Sequence, residues 1–231
     1  MKKEDAVSLI VYILMIAIAV LVGWMVISQL FAEFATYLPG QGSANMAFAF
    51  LFVVVAIIFN VFFLESGHIV GAKLGGYRVI SFNVLGLCWY RSENKWKFKF
   101  KNFDGLTGET KIAPKKEKTS AKTFALMPLI FYVIEFVIFM IIFYVILNLH
   151  HSAQHGTTYG HLGWLVILSM MMIVVGGMIE LYNIFPAKLD SLTDGYRLLV
   201  LSKKENIEAY NELMRIAEYN SHLGLVDPFK G

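Results

Sequence analysis

The sequence predicts a mostly α-helical, polytopic membrane protein with four transmembrane helices and a small β region on the membrane surface. Three observations carry this. Hydrophobic residues make up 57% of the 231 and charged residues 16%, against about 25% charge in a soluble domain. Four apolar stretches approach the roughly 20 residues that a helix needs to span a bilayer. Between the second and third, the apolar period switches to strict alternation, the signature of a strand. A single cysteine, Cys88, excludes a secreted disulfide scaffold. A net charge of +3 gives no bulk argument for nucleic acid.

The first stretch runs from Ala6 to Phe31 without a charge. Lys2 and Lys3 precede it as in a signal peptide, but the run exceeds a signal core of about 7–15 residues. It is expected to remain as a transmembrane helix, so that residues 1–45 form this helix and an outer loop. The second covers about 47–74 and passes Glu65 and His68. The third covers 124–149 and contains Glu135. The fourth covers 162–185 and contains Glu180. Of the 20 Lys and Arg, 12 fall between Lys73 and Lys122, and none falls between Ala32 and Met46 or between His150 and His161. The positive-inside rule then places both termini and the central loop on the cytoplasmic side of the cell membrane.

The central loop reads as β over about 77–112. Val79, Ile80, Phe82, Val84 and Leu85 form one apolar run. Trp96-Lys97-Phe98-Lys99-Phe100-Lys101 alternates, with Ser92-Glu93-Asn94 as the turn before it. Rings on one face and lysines on the other suit a lipid interface. A plain hairpin with one solvated face is the simpler alternative, and single-stranded nucleic acid the remotest. Pro114 to Lys118 is a charged linker. After the fourth span, Pro186 should break the helix, with Asn183 satisfying freed backbone groups. Thr193 or Asp194 then serves as N-cap of a new helix. The segment 201–231 forms a cytoplasmic amphipathic helix with Ile207, Tyr210, Leu213, Met214 and Ala217 among its charges.

Ionisable groups inside a membrane are costly, and each is a functional hypothesis. Glu65 and His68 have the spacing of the last two residues of His-Glu-x-x-His. In that motif two imidazoles one helical turn apart bind zinc and the glutamate is general base. Leu64 stands where the first histidine would be, and leucine ligates no metal. By themselves, Glu65 and His68 read more simply as interfacial polar groups. Glu135 reads as a buried carboxyl hydrogen-bonded to a neighbouring helix. Gly176-Gly177 read as small residues that let helices approach.

Taken in order, these features resemble the site-2 protease family of intramembrane zinc metalloproteases. The matching residues are Leu64-Glu65-Ser66-Gly67-His68, the β region from about Tyr77 to Phe103, Asn183 to Pro186, and Thr193-Asp194-Gly195-Tyr196. The stretch from His68 through Gly71, Gly75 and Tyr77 to Phe82 is similar to small bacterial members. The resemblance covers about 47–196 and implies a membrane core over 46–200. It implies Glu65 as general base, His68 and Asp194 as zinc ligands, and Asn183 as a group that orients a substrate backbone. Catalytic zinc sites use three protein ligands, and Leu64 leaves two.

The expected function is therefore that of a pseudoprotease: binding a transmembrane helix of a partner or substrate in the protease groove without cutting it. The alternatives are intramembrane proteolysis with altered zinc ligation and an introduced leucine in an otherwise active enzyme. A small four-helix transport or assembly subunit, with Glu135 and Glu180 lining a polar path, is the reading from a different class. The expected cofactor is zinc, weakly held or absent, and the expected partners are a transmembrane helix and the lipid bilayer, with no nucleic acid.

Overall fold

The computed structural model describes residues 43–92, 95–100, 108–115, 119–153, 163–186 and 193–222, together with scattered positions between Leu9 and Trp24. Those scattered positions are helical. The first expected span as a whole, Lys101, the Glu93-Asn94 turn, Asp190 and the Lys116–Lys118 linker lie outside the described residues. In chain order the elements are α1 (Ser43–Leu74), β1 (Tyr77–Val84), β2 (Leu87–Ser92), β3 (Lys95–Phe100), β4 (Gly108–Pro114), α2 (Ala121–Ala153), α3 (Gly163–Ile184), α4 (Asp194–Val200) and α5 (Lys204–His222).

Among the described residues, three helices are long and apolar enough to cross a membrane, over Phe50–Leu74, Ala121–Leu149 and Trp164–Ile184. All three coincide with apolar stretches of the sequence. Helix α2 starts earlier than its apolar run because Ser120, a residue type suited to an N-cap, accepts hydrogen bonds at its carbonyl from the Thr123 amide and at its hydroxyl from Thr123 Oγ1. Both helices expected after Pro186 are present: α4 ends at its C-cap Leu201, and α5 starts after Ser202-Lys203.

The β region is one antiparallel sheet of order β3-β2-β1-β4. Helix α1 ends at a glycine pair: Gly75 N donates to Gly71 O, and Gly76 takes a φ of 84° that closes the helix. Between β1 and β2 the turn is Leu85-Gly86, with φ of 52° and 84°. Positive φ at both central residues is what a two-residue hairpin turn matching strand twist requires. Ile80 is the extra residue of a bulge, since Val79 pairs with Ile112 and Ser81 with Lys111.

The chain forms two compact units. One comprises 1–60 and 132–182, the other 61–131 and 183–231. In the first, Phe52 and Ala56 of α1 pack on Ile167, Met171 and Met172 of α3. Asn60 Nδ2 donates to the Met172 carbonyl at 3.3 Å, and Tyr132 Oη donates to the Ile173 carbonyl at 3.3 Å. Gly176 and Gly177 make room for the Asn60 and Tyr132 side chains, so the glycine pair does serve close packing. Glu135 and Glu180 are both buried. Glu135 Oε1 has no hydrogen-bond partner among the described residues.

In the second unit, Ala72, Tyr77, Val79, Ile112, Phe124 and Leu201 share a core with Ile207 and Tyr210 of α5. Tyr77 Oη donates to Asn211 Oδ1 at 2.8 Å, Asn211 Nδ2 donates to Thr119 Oγ1 at 2.6 Å, and Arg78 pairs with Glu218. The C-terminal half of α1 lies directly on α2. A Cβ at Gly67 would stand 2.7 Å from Pro128 Cα, and one at Gly71 2.7 Å from the Thr123 carbonyl oxygen. In both cases the obstacle is backbone.

Alanine in a helix interior gains about 1 kcal/mol over glycine, while overpacking costs about 1–3 kcal/mol. Because backbone cannot step aside, the second term should win. Gly67→Ala and Gly71→Ala are each expected to lower the thermal unfolding midpoint of the detergent-purified protein. An unchanged or raised midpoint would contradict this packing.

Candidate functional site

The site lies within the second unit. Glu65 and His68 stand on one face of α1, three residues apart, and both are buried. The two imidazole nitrogens look in different directions. His68 Nε2 is 2.8 Å from Asp194 Oδ2, and His68 Nδ1 is 3.6 Å from Glu65 Oε2. Thus residues 126 positions apart in the chain meet through one ring. The Phe124 ring is packed on the imidazole, with centroids 4.8 Å apart.

Asp194 arrives there because the chain turns after α3. The helix ends at Ile184, Pro186 is not helical, and Thr193 starts α4 as its N-cap, its hydroxyl accepting from Tyr196 N. Thr193 Oγ1 also donates to the Phe185 carbonyl at 2.5 Å, which ties the new helix to the end of the old one. Gly195 lies against the Ile184 carbonyl so closely that a Cβ would overlap it. Asn183 Nδ2 donates to Asp194 Oδ2 at 2.5 Å, and its Oδ1 accepts from Asp194 N at 3.3 Å. Its side chain thus serves the carboxylate and the first amide of α4, a more specific role than capping a broken helix end.

The second Asp194 oxygen belongs to Arg197, whose Nη1 is 3.0 Å from Oδ1. The guanidinium also lies over the Phe124 ring at 5.5 Å. Burial alone would raise the Asp194 carboxyl, but His68, Arg197 and Asn183 outweigh it and hold it below the usual carboxylate range. On the other side, Thr110 Oγ1 of β4 donates to Glu65 Oε2. Gly108, two residues earlier, leaves space that the Glu65 side chain fills.

The structure brings together Glu65, His68, Asn183 and Asp194 from the sequence reading. It adds Arg197, Phe124, Thr110 and Gly108. Arg197 had a weak signal, being one helical turn after Asp194. The others had none, because cross-strand register and helix packing set their places. Leu64, half-buried, precedes His68 by one turn. The side chains of His150, His151, His155, His161 and His222 lie outside the described residues.

This donor set does not fit a catalytic zinc. The ligands that the resemblance implies are two, His68 and Asp194, where three protein ligands are usual. Both Asp194 oxygens already accept hydrogen bonds. Among the described residues, no group of three His, Cys, Asp or Glu is arranged to hold a metal ion. The cluster is instead a buried polar network of two carboxylates, an imidazole and a guanidinium.

Removing one member of such a network strands the rest. Asp194→Ala is expected to cost about 3–5 kcal/mol, the range for breaking a buried pair. Arg215→Ala, which breaks an exposed pair with Glu212, should cost about 0–1 kcal/mol. Denaturant unfolding of both variants in mild detergent measures the contrast, and equal losses would show that the network is not structural. No family model matches this chain, and neither does any curated protein or solved structure.

Proposed function

We propose that this protein is a site-2-protease-like membrane protein that holds a transmembrane segment of a partner without cutting it. The observation that carries the reading is the Glu65–His68–Asp194–Asn183 cluster beside Leu64. A polar site of protease type is retained in full, except at the residue that would complete its ligand set. The resemblance in motif order, the three apolar helices and a β strand contacting Glu65 through Thr110 support the same reading. The proposal includes a fourth span over Ala6–Phe31 and cytoplasmic termini, on the distribution of Lys and Arg.

In this arrangement the chain's own residues bind rather than react. Helix α2 exposes Ile130, Val133, Ile134, Val137, Ile138 and Ile141, a surface for acyl chains or another helix. Strand β4 is an edge of the sheet, and edge strands present unpaired backbone groups to an extended segment. Asn183 is half-buried beside the cluster and fixes Asp194 rather than standing free for a substrate.

Elemental analysis, a peptide-release assay and crosslinking test this together. The purified protein should contain well under one zinc per chain and release no peptide from transmembrane substrates. A photoreactive residue in place of Leu64 should still yield an adduct to a transmembrane segment in membranes. Leu64→His should raise the zinc content. Stoichiometric zinc with peptide release by the unaltered chain would establish the enzymatic alternative. Absence of any adduct would remove the binding role.

A further inference from the structure

A second group of buried polar side chains lies among the three helices of the first unit. Tyr132, Glu135 and Phe139 stand at i, i+3 and i+7 on one face of α2. Tyr132 Oη donates to the Ile173 carbonyl of α3 at 3.3 Å, and the Phe139 ring meets Phe59 of α1 at 6.0 Å. Glu135 lies between these two contacts and looks into the junction of the helices. Its neighbours Val133, Ile134, Phe136, Val137 and Ile138 are exposed, while Glu135 itself is only 4% exposed.

Asn60 reaches the same junction from α1. Its Nδ2 donates to the Ala56 and Met172 carbonyls at 2.9 and 3.3 Å, which turns Oδ1 onto Gly176 beside the Tyr132 ring. On α3, Ile173, Gly176, Gly177 and Glu180 fall at i, i+3, i+4 and i+7. Glu180 therefore continues the face that Tyr132 meets, and its charge acts on both Glu135 and Tyr132.

The junction is rich in acceptors. Glu135 Oε1 is buried with no hydrogen-bond partner among the described residues. Residues 43–60, 132–149 and 163–182 contain no Lys, Arg or His. Glu180 has a further interaction within the chain, so what the junction lacks is one positive charge. Burial sets the size of that charge. A basic side chain of a partner would have to part the helices to reach Glu135, whereas a bare ion would not. A proton serves one pair of acceptors, whereas an ion draws on carboxylate, amide and phenol oxygens together. Oxygen donors select a hard cation. Calcium takes 6–8 oxygens and magnesium keeps several waters, more than three side chains in an apolar bundle offer, which leaves a monovalent ion.

We propose that Asn60, Tyr132 and Glu135 form an intramembrane site for an alkali cation of the sodium class, with Glu180 adding negative potential. The ion ties α1, α2 and α3 together in the first unit. The site does not depend on how the Glu65–His68–Asp194 cluster is read.

The test uses the full chain in a neutral detergent, exchanged into choline chloride. Replacing choline by sodium at constant ionic strength should raise the thermal unfolding midpoint saturably, by about 3 °C or more once sodium is about tenfold above its dissociation constant. Radioactive sodium should bind at about one per chain. Glu135→Gln should abolish both signals, while Glu212→Gln in an exposed pair of α5 should keep them. Tyr132→Phe, which retains the ring, should weaken sodium binding by about threefold or more and gives a second reading where Glu135→Gln does not fold. Absence of sodium binding would overturn the proposal and show that Glu135 holds a proton alone. Stabilisation by calcium or magnesium but not by sodium would overturn it too. So would sodium binding that survives both substitutions, which would place the ion elsewhere.

Discussion

The His68–Asp194 hydrogen bond is the constraint around which the second unit is arranged. Both side chains are buried in a chain of apolar spans, where an unpaired polar group is costly. The bond can form only if the segment after α3 doubles back to α1, and several otherwise unrelated features make that return possible. Pro186 prevents α3 from continuing. Thr193 starts a new helix at the right residue. Gly195 accepts a backbone approach at Ile184 that no side chain would allow. Asn183 holds both the carboxylate and the amide of Asp194. On the far side, Gly108 and Thr110 bring β4 onto Glu65.

The composition of the cluster explains how its buried ionisable groups can stand together. Two carboxylates would repel one another in a low dielectric. His68 stands between them, and Arg197 closes the outer side of Asp194 while resting on Phe124. The charges are thus compensated by the chain itself. Leu64, one turn before His68, adds no unpaired group, since its side chain asks for no partner. Substitution of Glu65 or Asp194 would be different in kind, because each has partners that would be left behind.

Much of this was legible in the sequence, and the legible parts were the periodic ones. The apolar runs of α1, α2 and α3 and the alternation of β3 are written in local order. So are the breaks at Gly75-Gly76 and Pro186. The bulge at Ile80 was not, because it depends on which β4 residue each β1 residue meets. Glu65 and His68 were legible as a pair through their spacing. Asp194 was legible only through resemblance, since nothing local to residue 194 points to residue 68. Phe124 and Thr110 were silent, being ordinary members of a helix and a strand whose importance comes from register and packing.

Register also joins the cluster to the aromatic residues of the sheet. Thr110 and Phe82 are paired residues, so the hydroxyl that serves Glu65 and the first ring of the row Phe82, Trp89 and Phe98 lie on one face. A slip by one residue in any strand pair would send the rings to the lysine side and take Thr110 away from Glu65. Two local devices oppose such a slip: the two-residue turn at Leu85-Gly86 fixes β1 on β2, and the bulge at Ile80 fixes β1 on β4. The sheet therefore behaves as a rigid spacer across its width. Four strands spaced about 4.8 Å apart set the lateral distance between Thr110, which holds Glu65, and Phe98 at about three strand spacings. Strand pairing, rather than side-chain contact, is thus the physical link between the surface of this protein and its polar interior.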